Sequence, residues 1–262
     1  MNAYDLPDEI QIAADGPIRV VTLNRPDDLN ATNHVLHAGL AGLWPQLDAD
    51  DEARVAVLTG AGRAFSAGGD FRYIDELSKD AQLRQLTLVH GRQIVTGMVG
   101  CRLPVVAAVN GPAVGLGCSL VALSDIVFMA ESAHLADPHV LLGLVAADGG
   151  PVVWPLLTSL QLAKEYALTG ERIPAHRAAE IGLVNHVCPD GEVMDQAMAC
   201  AHRIAALPRR AVEDTKRVVN IQMERAVLAA LDFALAAEDR SFTSPELRAN
   251  IDRMLKREPK GG

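Results

Sequence analysis

The sequence predicts an α/β protein, and three observations carry that prediction. Short β-branched runs alternate with longer helical stretches through the first two thirds of the chain. Two of those runs lead straight into glycine-rich segments. Strand signals then stop after Asp190, and the remainder is Ala-rich helix broken by Pro208 and Ser244-Pro245.

In order, residues 18–23 (Ile-Arg-Val-Val-Thr-Leu) read as a strand, 32–47 as a helix and 55–59 (Val-Ala-Val-Leu-Thr) as a second strand. A helix over 81–99 and a strand over 105–109 follow, and a helix from Gly115 then leads to a strand at 126–129. The units are alike in kind and not in letters, so no sequence repeat is inferred. The expected division is a core over residues 1–195 and a helical region over 196–262. Val227, Leu228, Leu231, Phe233, Leu235 and Ala236 give that region more apolar surface than a small solvated bundle needs, which packing on the core or a subunit interface would equally explain.

The 262 residues suffice for a large core, with 49% hydrophobic content. A net charge of −9 without a Lys/Arg cluster points away from nucleic acid and anionic membrane. The first residues have an acidic flank and no apolar run of signal-peptide type, and the longest apolar region, 105–130, is interrupted by Asn110, Pro112 and Asp125. Cys101, Cys118, Cys188 and Cys200 lie far apart, with no metal spacing, and read as buried reduced thiols; a soluble, cytoplasmic protein without a metal is expected.

Chemistry concentrates in the two glycine segments. Ala64-Phe65-Ser66-Ala67-Gly68-Gly69-Asp70-Phe71 follows a strand and is nearly free of bulk, so backbone N–H groups there can face a ligand. Asn110-Gly111-Pro112-Ala113-Val114-Gly115-Leu116-Gly117-Cys118-Ser119 also follows a strand and opens a helix, whose N-terminus presents free N–H donors. Two such donors suit an oxygen that becomes an enolate. A phosphate cradle is disfavoured, since no Walker lysine or dinucleotide glycine pattern is present.

These two segments resemble the signatures of the crotonase (enoyl-CoA hydratase/isomerase) superfamily. Leu23-Asn24-Arg25-Pro26, Leu29-Asn30-Ala31, Ser124-Asp125-Ile126, the stretch from Ala163 to Gly170 and Ile181-Gly182-Leu183-Val184-Asn185 extend the similarity over nearly the whole chain. The resemblance implies a spiral of ββα units, a C-terminal helical trimerisation region, and a homotrimer or dimer of trimers. It implies an oxyanion hole from the N–H groups of Ala67 and Leu116, and an acyl-CoA substrate met by residues such as Arg25, Phe65, Gly68, Asp70, Phe71, Arg72 and Ser119. Coenzyme A would be part of the substrate, and no separate cofactor is implied.

The chain departs from that pattern where hydratases carry two glutamates for paired acid–base work, because Ser119 and His139 stand there. His139 and Asp148, nine residues apart across an apolar turn, supply a different pair: a carboxylate that fixes the imidazole tautomer and raises its basicity for water activation. This pair resembles 6-oxocamphor hydrolase, a crotonase relative that cleaves cyclic β-diketones without coenzyme A, and its third functional acid would fall on Glu238. A histidine which that enzyme carries at the position of Leu116 is missing. Asp148 also has a simpler reading as a helix cap before Gly149-Gly150, Glu238 as a solvated charge, Asp70 as a brace of its glycine loop, and Asp125 as structural.

Evidence on coenzyme A is divided: Asp27 and Asp28 occupy the place of a usual phosphate-binding cation, while Arg25, Arg72, Lys256 and Arg257 could meet phosphates. Three hypotheses therefore stand: an acyl-CoA enzyme of the hydratase/isomerase class, a CoA-independent β-diketone hydrolase using His139 and Asp148, and a non-catalytic acyl-CoA-binding trimer. Helices between Ile74 and Val99 are expected to wall the substrate pocket.

Overall fold

The computed structural model describes residues 4–255. Ile10–Asp15 (β1) and Ile18–Leu23 (β2) form an antiparallel hairpin with Ile10 opposite Leu23. β1 faces solvent at most of its positions, which weakens its alternation and explains why the sequence reading begins only at β2. The Asn33 side chain accepts the Leu36 N–H at 2.8 Å and so starts His34–Ala49 (α1). Val55–Gly60 (β3) then runs parallel to β2, with Ile18 beside Val55.

Asp70 and Asp80 cap the next two helices, Phe71–Lys79 (α2) and Ala81–Gly100 (α3). Val105–Val109 (β4) lies parallel to β3, and every one of its residues is buried, as expected of a strand covered on both faces. Ala113–Val114 (β5) and Leu116–Ala122 (α4) lead into Ile126–Ala130 (β6), parallel to β4. His134–Ala136 (β7), His139–Leu142 (α5), Gly150–Leu157 (α6) and Leu160–Thr169 (α7) follow. Ile173–Pro174 (β8), Ala175–Glu180 (α8) and His186–Cys188 (β9) complete the spiral. The helical end consists of Val193–Ala205 (α9), Arg209–Ser241 (α10) and Pro245–Leu255 (α11).

The larger sheet has the order β1-β2-β3-β4-β6-β9, and the smaller has the order β5-β7-β8. Isolated bridges pair Thr32 with Gly69 and Ser66 with Ala113, extending the smaller layer toward the glycine loops. Successive turns thus place strands in the two layers and a helix outside them, the ββα spiral that the resemblance implies. α1 packs on α3, and α9 covers β3, β4 and β6. The Trp44, Leu40 and Leu43 side chains of α1 are fully buried, each worth about 1.5–3 kcal/mol or more of hydrophobic stabilisation.

α10 divides the expected apolar stripe. Val227 and Leu231 are buried, whereas Leu228 and Phe233 are 77% and 75% exposed. Lys216, also on α10, donates to the Leu103 carbonyl and pairs with Asp125 at 2.8 Å, while Asp125 accepts the Val105 N–H. Asp125 is therefore structural, as expected. All four cysteines are buried and unpaired, and among the described residues no helix is long and apolar enough to cross a membrane.

Candidate active site

The loop after β3 is sewn to the segment after β2. Ser66 Oγ donates to the Asn30 carbonyl at 2.8 Å, and the Ala67 N–H donates to the Leu29 carbonyl at 2.9 Å. That bond corrects the expected role of Ala67: its N–H is already committed, so Ala67 borders the cavity without offering this donor. Thr32 N–H donates to the Gly68 carbonyl at 2.7 Å, and Asp70 N–H donates to the Thr32 carbonyl at 3.1 Å. In a trans peptide the C=O and the following N–H point in opposite directions. The Gly69 N–H is therefore turned away from Thr32, on a residue that lines the cavity. Gly68 makes the turn with φ +89°, and a Cβ there would lie 3.0 Å from the Val114 carbonyl oxygen, so the two glycine segments touch backbone to backbone.

The second segment ends in the first turn of α4. The Gly115 N–H donates to the Ala136 carbonyl, and Ser119 N–H closes the first helical bond back to Gly115. Leu116 therefore sits among the N–H groups that have no intrahelical acceptor, beside the same cavity. The cavity measures about 190 Å³, and Gly68, Phe71, His139, Asp148 and Glu238 also reach its wall. Ile74, Leu77, Leu88 and Gly91 of α2 and α3 supply its apolar side, as expected.

His139 begins α5, directly after Asp137 and the N-cap residue Pro138. Its Nδ1 lies 2.5 Å from Asp137 Oδ1, and its Nε2 lies 3.7 Å from Asp148 Oδ2. The partner that orients the ring is thus Asp137, which sequence reasoning missed; Asp148 is a looser neighbour on the opposite nitrogen. Burial alone would lower the imidazole, but Asp137 and Asp148 outweigh it, with help from Glu238, and lift His139 to about 10. The ring is an imidazolium at neutral pH, which corrects the expectation of a neutral water-activating base. Burial raises the Asp148 carboxyl, with His139 opposing and Asp137 adding to the shift. Burial likewise pushes Glu238 up to about 8, against the pull of His139 and with the push of Asp148. Glu238 is not a solvated charge, since it faces the cavity beside His139 and Asp148.

Ser119 is fully buried, and its hydroxyl donates to Asp148 Oδ1 at 2.6 Å while accepting the Gly150 N–H at 3.0 Å. It positions Asp148 and does not line the cavity, so its expected substrate contact is corrected. Asp148 in turn does not cap α6, whose N-cap is Gly149. Phe65 is fully buried in the main core and is also removed from the substrate-contacting set. Arg25 is tied to Asp28 at 2.6 Å, to Asp70 at 3.4 Å and to the Ala31 carbonyl. It braces the loop in place of offering a ready phosphate ligand. Asp70 shares that pairing and accepts the Arg72 N–H, which bears out its reading as a brace. Arg72 is exposed on the first turn of α2; Lys256 and Arg257 lie outside the described residues.

Asp137, His139 and Asp148 have ligand atoms within 4.8 Å of one another. Holding a metal would require removing the proton that the two carboxylates keep on the ring.

The family model described as enoyl-CoA hydratase/isomerase matches residues 14–259. The chain belongs to the enoyl-CoA hydratase/isomerase family. A crystal structure of a family member from Mycobacterium paratuberculosis superposes with a TM-score of 0.94 at 64% identity, covering 95% of this chain and all of that one. The short-chain-enoyl-CoA hydratase of Clostridium acetobutylicum is 32% identical over 87% of this chain and 85% of its own length. The 1,2-epoxyphenylacetyl-CoA isomerase of Escherichia coli is 31% identical over 92% and 94%. Relatives with different reactions thus share the fold, and the choice among reactions rests on the side chains facing the cavity.

Proposed function

We propose that this family member acts on an acyl-CoA thioester, holding its enolate oxygen on the N–H groups of Leu116 and Gly69 while protons move through Asp148 and Glu238. The observation that carries this reading is the placement of His139, Asp148 and Glu238 on the wall of the cavity that both glycine segments border. An enolate is anionic, and donors fixed before the reaction stabilise it without reorganisation. His139, already protonated, adds a positive charge beside the developing anion and opposes the rise that burial imposes on the carboxyl of Asp148, the proposed base. Glu238, lifted to about 8, carries a proton at neutral pH and acts as acid.

In isomerisation Asp148 takes an α-proton, the C–H electrons form the enolate, and Glu238 delivers a proton at the γ-carbon. In hydration Asp148 takes a proton from water, the oxygen adds at the β-carbon, and Glu238 protonates the α-carbon. The same two groups serve both routes, in place of the two glutamates absent at Ser119 and His139. The diketone-hydrolase alternative asks His139 to begin as a neutral base, and its two carboxylate neighbours work against that. The acid–base set within the cavity likewise favours a catalyst over a silent binding protein. Homotrimer formation belongs to this reading too, with the exposed Leu228 and Phe233 of α10 as its contact surface.

The test is turnover of crotonyl-CoA and of 3-hexenoyl-CoA by the wild type, Asp148→Asn and Glu238→Gln. Each variant should lose about 10²–10⁴-fold in kcat. Wild-type protein that leaves both thioesters unchanged but opens a cyclic 1,3-diketone would refute the proposal.

A further inference from the structure

The cavity has a second polar feature, on the wall made by α1, α2 and α3. His37 lies on the inner face of α1, is 9% exposed, and borders the cavity. Its Nδ1 is buried without a hydrogen-bond partner. Around it stand Tyr73, with ring centroids 6.5 Å apart, and His90, at 6.1 Å. The Tyr73 hydroxyl donates to Thr87 Oγ1 at 2.5 Å, Thr87 Oγ1 donates in turn to the Leu83 carbonyl at 2.9 Å, and Tyr73 and Thr87 also line the cavity.

The ring is neutral, because burial, together with His90, depresses it to about 3. A neutral imidazole carries one N–H and one lone pair. Sealing an N–H away from every acceptor costs more than sealing a lone pair, since orphaned buried donors are the rarer case. A proton on Nε2 avoids that cost and leaves Nδ1 with the unpaired lone pair. With Nδ1 shut off, Nε2–H is the remaining polar group of a ring that borders the cavity. An apolar acyl chain would not need a neutral donor in an otherwise greasy wall, and Leu or Phe would fill the space without desolvating a ring nitrogen.

We propose that His37 reads an oxygen atom, a ketone or hydroxyl, on the substrate's acyl group away from the thioester. The substrate class is then an oxygenated acyl-CoA and not a plain fatty acyl-CoA. The inference rests on the acyl-CoA reading above. It leaves the enolate chemistry unchanged and adds a group that selects which thioester reaches it. The asymmetry of such recognition favours rejection: a site built to bond an oxygen leaves its donor unpaired when a hydrocarbon chain binds.

Isothermal titration of the wild type with hexanoyl-CoA and with its 3-oxo, 4-oxo and 5-oxo counterparts tests the inference. At least one oxo member should bind about tenfold more tightly than hexanoyl-CoA. That preference should fall to within about twofold in His37→Leu and persist in His37→Gln, whose amide nitrogen replaces the Nε2 donor. Equal affinity for all four thioesters in the wild type overturns the subsite whether or not the variants fold, and so does a preference that survives His37→Leu. No binding of any thioester overturns the acyl-CoA reading itself and this subsite with it. Binding without preference overturns the subsite alone.

Discussion

At the scale of single residues, the site depends on how carboxylates divide protons around one imidazole. Asp137 accepts a hydrogen bond from His139 Nδ1–H at 2.5 Å and lies fully buried. Asp137→Asn removes a negative charge from the ring, so the His139 pKa should fall from about 10 toward neutrality. Imidazole chemical shifts followed by NMR from pH 6 to 10 would show a titration that the wild type postpones to higher pH. kcat should drop roughly tenfold or more, since the ring loses both its orientation and its fixed charge. The resemblance singles out His139, Asp148 and Glu238 because each differs from, or matches, a position it makes functional, and the structure brings the three to one cavity wall. Asp137 was not, because Asp-Pro before a helix reads as turn chemistry, and only the i, i+2 Asp–His spacing hints at more. Gly69, the proposed donor, escaped for another reason: which peptide in a glycine run keeps its N–H free depends on the partner strand, here Thr32, and that pairing is invisible locally.

At the scale of elements, the site is made where α4 presses on the loop that follows β3. A Cβ on Gly117 would lie 2.7 Å from Ser66 Cβ, so Gly117→Ala must push the start of α4 off that loop. The expected cost is about 1–3 kcal/mol in urea unfolding, with a larger proportional loss of kcat because Leu116 moves with the helix. An unchanged kcat would separate Leu116 from the chemistry. The strands β2, β3, β4 and β6 and the helices α1 and α3 were readable from period and punctuation alone, since each is long and strongly patterned. β5, β7 and β8 were not: at two or three residues they carry no period, and they exist because the spiral brings them together. α2 was hidden by its proximity to α3, from which Asp80 alone divides it.

At the scale of the whole molecule, three buried groups give stability a defined pH dependence. His139 and Glu238 are raised from 6.5 to about 10 and from 4.5 to about 8, so the folded state binds their protons more tightly. Their contribution is complete below the unfolded values and is lost as pH rises through about 8 and then about 10. His37 is lowered from 6.5 to about 3, so its neutral burial favours the folded state above 6.5 and is lost as pH falls toward 3. Urea midpoints should therefore rise from about pH 3 to 4.5, stay level to about 6.5 while the His37 gain offsets the Glu238 loss, and fall from there to about pH 10, with the acid decline shallower in His37→Gln. The exposed Leu228 and Phe233 make a further prediction at this scale: light scattering should give three or six times the 27.9 kDa chain mass, and Phe233→Glu should lower it. The most direct test of the central claim is α-proton exchange. Butyryl-CoA, which has no double bond to hydrate or shift, is incubated with the protein in D2O and followed by mass spectrometry. Enolate formation predicts deuterium at the α-carbon with the wild type and its near absence with Asp148→Asn; butyryl-CoA that binds yet gains no deuterium would contradict the account.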